Sequence, residues 1–220
     1  MLVLDSNGLR GVWACYVHIL VLHPICTQMF TSALLWAFGD VVAQVITHAL
    51  YHAHFSKGLQ VHETHLVANG FGQMLNGGTM DWKRVGIASL FGAIFVGPVG
   101  NFWYQFLEYV CAKRLKFEPN SICFMGTKLV ADTFLYGPMH LLVFFLYMGL
   151  VAGNTLVQMK QDIKHDYFPT LLTEGIVWMC IQLVNFRFVP VQHQLLFVNG
   201  FSLLDSVFLS WVKYSGTVSS

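Results

Sequence analysis

The stretch from Pro24 to His52, PICTQMFTSALLWAFGDVVAQVITHALYH, is long and apolar enough to cross a bilayer as a helix, yet it carries Asp40 in its middle. Spanning takes roughly 20 apolar residues. A carboxylate at that depth costs about 3 kcal/mol or more unless it is paired, hydrated or protonated, so it faces other helices or a watery cavity. Steps of four from Asp40 reach Trp36 and Ser32 one way, and Gln44, His48 and His52 the other. Each step turns about 400° on a helix, so the row slants slowly around the axis. Ser32, Trp36, Asp40 and Gln44 are therefore expected to form one inward-facing polar seam. Two roles are open to it: locking helices together, or handling a solute or proton.

The rest of the chain obeys the same solvent. Of 220 residues, 55% are hydrophobic and only 10% charged, where a soluble domain carries about 25% charge. The expected fold class is an all-α integral membrane protein: one domain, residues 1–220, with four to five membrane-embedded helices and an N-terminal interfacial helix. A formal net charge of +1 lacks the basic footprint of a nucleic-acid binder. Cys15, Cys26, Cys111, Cys123 and Cys180 have no C-x-x-C spacing and read as reduced core residues. The absence of an N-x-S/T acceptor favours an organelle membrane outside the secretory route. The first residues lack the basic region and cleavage site of a signal peptide, and the Arg- and Ser-rich character of a transit peptide. Targeting is expected to be internal.

In order, residues 9–22 predict a short interfacial helix with Trp13 and Tyr16 at headgroup depth, ending before Pro24. The first span comes next, at roughly 25–52. Residues 53–80 are rich in Gly, His and Asn and read as a loop. His62-Glu63-Thr64-His65 is one residue short of the H-E-x-x-H zinc motif, so the histidines His48, His52, His54, His62 and His65 offer only compositional grounds for a metal. No metal or cofactor is expected.

The second span, roughly 82–112, opens on the interfacial cluster Asp81-Trp82-Lys83-Arg84. Ser89, Ala93 and Gly97 make a small-residue row open to close helix approach, which also allows a homo-oligomer. Pro98 removes a backbone hydrogen bond and should kink the helix. Beyond it Asn101, Gln105 and Glu108 share a face, with Glu108 near enough to the end to reach water. The third span, roughly 122–153, carries Lys128, Asp132, Tyr136 and His140 at steps of four. Lys128 and Asp132 have ion-pair spacing with the cation in the less favoured N-terminal position. Gly137-Pro138 repeats the punctuation of Gly97-Pro98. Residues 154–169 read as a charged loop, followed by helices at roughly 170–188, with Glu174, Gln182, Asn185 and Arg187, and 191–213, with Asp205. Arg10, Lys113, Arg114, Lys116 and Lys213 balance Lys57, Lys83, Arg84, Lys160 and Lys164 across the membrane, so charge does not set orientation.

Several pieces in the right order carry a resemblance. They are Tyr16…Pro24-x-x-Thr27, Gly39-Asp40…Gln44, Asp81-x-x-Arg84, Gly97-Pro98…Trp103-Tyr104, Lys128…Asp132, Gly137-Pro138, Leu209-Ser210, and the run Trp178, Gln182, Asn185-Phe186, Val189-Pro190. From about residue 12 to 212, the 53–80 loop excepted, the chain resembles the membrane family named after Mpv-seventeen and the peroxisomal membrane protein twenty-two. It departs at Asn101 (usually His), Thr133 (Gln), Met179 (Pro), Gln194 (Arg) and Asp205 (Trp), as a divergent branch would. Losing the Arg would leave a partner carboxylate to find another cation.

The resemblance implies a small helical protein of the mitochondrial inner or peroxisomal membrane, forming or modulating weakly selective pores for small solutes. It also implies a link to reactive oxygen metabolism and organelle homeostasis, and brings no catalytic residues. The leading expectation is thus a channel or permeability protein in contact with the lipid bilayer. Its candidate polar residues are Asp40, Gln44, Asn101, Gln105, Lys128, Asp132, His140, Gln182, Asn185, Arg187 and Asp205. The alternative is a non-conducting scaffold in which the same residues hold helices together. A third class, an intramembrane enzyme using Asp132, His140 or the histidine loop, finds no G-x-S-x-G, P-loop or G-x-G-x-x-G pattern.

Overall fold

The computed structural model describes residues 6–55, 80–119, 121–151 and 153–215, with side chains described from residue 10 to 46 and from 80 to 204 apart from a few positions. These residues form helices and short connections, with no strand among them. Helix α1 is Ser6–Leu22 and α2 is Pro24–Phe55. The second span consists of α3 (Trp82–Phe91), a π turn (Gly92–Val96), α4 (Gly97–Tyr109) and a closing π turn (Val110–Arg114). The third is α5 (Ile122–Ala131), a π turn (Asp132–Tyr136) and α6 (Gly137–Val151). Then come α7 (Leu156–Asp162), a π turn (Ile163–Tyr167), α8 (Phe168–Phe188) and α9 (Val191–Ser215). By length and composition, Pro24–Ile46, Trp82–Arg114, Ile122–Val151 and Phe168–Phe188 can each cross a membrane.

Three of the π turns solve one problem in the same way. Each ends immediately before an X-Pro pair: Gly97-Pro98, Gly137-Pro138 and Phe168-Pro169. Proline gives no N–H and crowds the preceding turn. Widening that turn by one residue lets Gly97 N–H reach Gly92 O, and Gly137 N–H reach Asp132 O, so the helix continues without a bare break. The stretch expected as a loop at 154–169 is helical for the same reason. Thr155 and Gln158 form a capping box at the start of α7, which satisfies the first donors, and the π turn carries the helix into Pro169. The turn before it closes on Gly153, at φ +77°, a conformation glycine adopts without strain.

Helix α2 is the hub. It packs along α9 and against α3, α4 and the π turn between them. Gln28 meets Gln192, Ser32 meets Asn199 and Gly39 meets Leu203, so α2 and α9 run parallel. The second span runs antiparallel to α2, with Gly97 at Met29, Gly92 at Ser32 and Arg84 at Asp40. One end of the bundle thus holds Pro24, Arg114 and Ile122, and the other holds Trp82 and Val151. A Cβ on Gly97 would stand 2.6 Å from Met29 Cα, and one on Gly92 2.7 Å from Ser32 O. The close approach rests on Gly92 and Gly97, not on the predicted row: Ser89 and Ala93 are half-buried, because the π turn shifts the spacing from four to five.

The apolar core gathers Phe91, Val96, Tyr104, Leu107, Phe186 and Leu195, while Phe30, Leu34 and Phe38 on α2 face outward, as a lipid-facing stripe does. Of the cysteines only Cys111 is buried; Cys15, Cys26, Cys123 and Cys180 are exposed, which corrects their reading as core residues. Replacing Gly97 by Ala sets backbone against a new methyl group and should cost about 1–3 kcal/mol. Thermal unfolding in detergent should show a lower Tm for Gly97→Ala and an unchanged one for Gly86→Ala, where a Cβ meets nothing within 4 Å.

Candidate functional site

The predicted seam faces inward, and it begins one turn earlier than expected. Gln28, Ser32, Asp40 and Gln44 are all buried, with Trp36 half-buried among them. Asn199 of α9 fastens its middle: its amide donates to Ser32 Oγ at 2.7 Å, and its oxygen accepts from Trp36 Nε1 at 3.4 Å. Asp40 is closed off more completely. Arg84 Nε donates to Asp40 Oδ1 at 2.8 Å and Gln44 Nε2 donates to Oδ2 at 2.8 Å. Gln44 also accepts from Asp81 N–H at 2.8 Å and donates to Asp81 O at 3.1 Å, and Asp81 caps α3 through Arg84 N–H.

One expectation changes here. Arg84 is not interfacial like its exposed neighbours Trp82 and Lys83; it turns inward and is buried. Asp40, midway along α2, lies level with the start of the second span, where Arg84 is the third residue of α3. The spacing along α2 could not reveal a partner that lies 44 residues away.

At the opposite end sits a second ion pair. Lys128, fully buried, donates to Glu108 Oε2 at 2.8 Å, and Glu108 is 39% exposed. Phe124 and Phe186 flank the ammonium at 5.2 and 5.0 Å, a favourable cation–π arrangement. The predicted Lys128–Asp132 pair does not form: Asp132 keeps the four-residue helical step, its N–H reaching Lys128 O, but the ammonium goes to Glu108 of the second span. Glu108 stands in the same unbroken helix, α4, as Asn101 and Gln105, which bond to each other at 3.0 Å.

Asp132 is left without a cation among the described residues, although it is only 5% exposed. Trp103 Nε1 donates to its Oδ1 at 2.9 Å, and Gln182 is also hydrogen-bonded to it. Gln182 donates to Tyr104 Oη at 2.9 Å and accepts from Asn185 at 2.8 Å. One network therefore joins the second, third and fourth spans around a single carboxylate. Tyr136 stacks on Trp103 at 5.3 Å, and His140 lies 5.7 Å from Tyr136 among Trp36, Phe91 and Phe95.

The remaining candidates divide. Asn101 is buried, Gln105 is exposed beside a cavity, and Arg187 points outward over the Phe188 ring at 5.6 Å, away from any interior site. Gln194 donates to Val189 O at 3.0 Å and its own oxygen has no partner; the group left unmatched there is an amide, not the expected carboxylate. The side chains of Asp205, His48 and His52, and the loop with His62 and His65, lie outside the described residues, as does the side chain of His54.

Breaking a buried pair by removing one partner costs about 3 kcal/mol or more, since it strands the other charge. Asp40→Asn and Arg84→Gln should each lower Tm clearly, and the double variant should fall short of the sum of the two losses. Thermal unfolding of all four proteins in one detergent closes that cycle.

The pattern describing the Mpv17 / PMP22 family matches residues 149–210. Protein SYM1 of Kluyveromyces lactis is 30% identical over 189 residues, covering 86% of this chain and 82% of that protein. Peroxisomal membrane protein 2 of Bos taurus is 27% identical, over 91% of this chain and 89% of its own. Mitochondrial inner membrane protein Mpv17 of Rattus norvegicus is 28% identical, over 91% and 97%. No solved structure matches the chain significantly. With the family pattern matched and a relative 30% identical over most of both chains, the chain belongs to the Mpv17/PMP22 family.

Proposed function

We propose that this protein forms or modulates a weakly selective path for small solutes across an organelle membrane, with Asp132 as its functional carboxylate. The observation that carries the reading is the contrast between two buried acids. Asp40 has a guanidinium and an amide on its two oxygens, whereas Asp132 has neutral donors and, among the described residues, no cation in contact, Lys128 acting on it only from farther off. An intramembrane carboxylate without a counter-ion is by default a functional group, served by water, a proton or a passing solute. A π turn starts at Asp132 itself, and such turns recur at functional sites.

The names of the relatives support two membranes, the peroxisomal and the mitochondrial inner membrane. Assembly from several copies and the absence of catalysis belong to the same reading.

A second reading has its own support: a non-conducting scaffold. The Asp40–Arg84–Gln44 and Ser32–Trp36–Asn199 ties are fully matched and need no solute. Single-channel recording of purified protein in planar bilayers separates the two. Conductance steps are expected, with Asp132→Asn changing selectivity or gating and conductance retained in those Asp40→Asn molecules that fold. Silence of well-folded protein across voltage and pH would remove the path and leave the scaffold.

A further inference from the structure

The end of the bundle that holds Pro24 has an imbalance that neither ion pair touches. Three amide side chains there are almost fully enclosed: Gln28 is 1% exposed, Asn185 0% and Gln194 2%. Each has committed its NH2 group. Gln28 Nε2 donates to Gln192 O at 3.2 Å, Asn185 Nδ2 to Gln182 Oε1 at 2.8 Å, and Gln194 Nε2 to Val189 O at 3.0 Å. Each is left with a buried oxygen that has no partner among the described residues: Gln28 Oε1, Asn185 Oδ1 and Gln194 Oε1. Turning Gln28 or Gln194 over does not help, because its nitrogen would lose a backbone carbonyl and its oxygen would then face one.

Gln28 and Gln194 are tied by their side chains to one short segment, the break between α8 and α9, and Asn185 stands one turn before it. Val189 N–H returns to Asn185 O at 3.0 Å, Gln194 reaches back to Val189 O, and Gln28 caps Gln192 O from α2. The segment is also where α8 ends, and a helix C-terminus carries about half a negative charge in its unmatched carbonyls. The surroundings are therefore rich in acceptors and poor in donors. The two nearby cations do not answer them: Lys128 is held by Glu108, and Arg187 turns outward. Tyr16 Oη and His193 Nδ1 are also unpartnered at this end, but on less enclosed residues whose rings face each other at 6.3 Å. A cavity of about 120 Å3 adjoins the segment beneath α1, lined in part by Leu20, Pro24, Asn101, Gln105 and Gln192.

We infer that the α8–α9 break binds a monovalent cation of the sodium or potassium class, with the amide oxygens of Gln28, Asn185 and Gln194 among its ligands. Neutral oxygens with no carboxylate among them suit a singly charged ion of modest hydration energy. Broken helices within membrane proteins use carbonyl ends in this way. The cavity beneath α1 provides the entry.

The test is thermal unfolding of the full chain in detergent, in potassium, sodium or N-methylglucamine chloride at constant ionic strength. A saturable rise in Tm with potassium or sodium, absent with N-methylglucamine, is expected. Gln194→Arg places a guanidinium at the oxygens and should abolish the cation dependence without lowering Tm below that of the cation-free parent. Gln28→Met, which removes one ligand and keeps the volume, should raise the half-saturating concentration several-fold, and it keeps the test open if the arginine variant does not fold. Equal Tm in all three salts would mean that buried water serves these oxygens, and would overturn the site. So would a cation response that survives unchanged in both variants.

Discussion

The close approach of α2 to the second span is the contact on which the other helix placements depend. Gly97 lets Met29 backbone lie where a side chain would otherwise stand, and Gly92 does the same for Ser32. In a membrane there is little hydrophobic gain from pairing two apolar helices, so backbone proximity and interhelical hydrogen bonds must hold them. The antiparallel contact at Gly92 and Gly97 sets the register in which Arg84 arrives at Asp40. It also places α2 so that α9 can run alongside and fasten Ser32 and Trp36 through Asn199.

Proline is the second organising constraint. Three X-Pro pairs sit inside long helices, and each comes directly after a π turn that absorbs the lost hydrogen bond. The extra residue per turn has consequences beyond continuity. It moves the close-approach position from a spacing of four to one of five in the second span. In the third it falls between Asp132 and Gly137, while Lys128 pairs with Glu108 of the second span and the carboxylate is met by Trp103 and Gln182.

The three intramembrane polar clusters consequently differ in kind. The two ion pairs lie toward opposite ends of the second span, one near Trp82 and the other near Arg114. Asp132 and its aromatic neighbours lie between them, matched by neutral donors alone. The α8–α9 break is different again, with acceptors in excess and no formal charge of its own. Matched pairs hold helices together; the unmatched groups are where a proton, a solute or an ion has something to gain by binding.

Much of this was readable from residue order. The apolar lengths, the proline positions and the four-residue row through Asp40 follow from helical period and the bilayer's intolerance of bare polar groups, and the short motifs in their order pointed to the family. The sequence alone therefore determined a multi-helix membrane bundle, the inward face of α2, and the polar residues that need partners. It did not determine the partners. Asp40 and Arg84 lie 44 residues apart, Lys128 and Glu108 20 apart, and Ser32 and Asn199 167 apart, so no local spacing rule connects them. The helical rows assumed an unbroken 3.6-residue period, which the π turns interrupt at Gly92, Asp132 and Ile163. Tertiary packing decided which charges meet, because only the folded register brings distant turns of different helices to hydrogen-bonding distance.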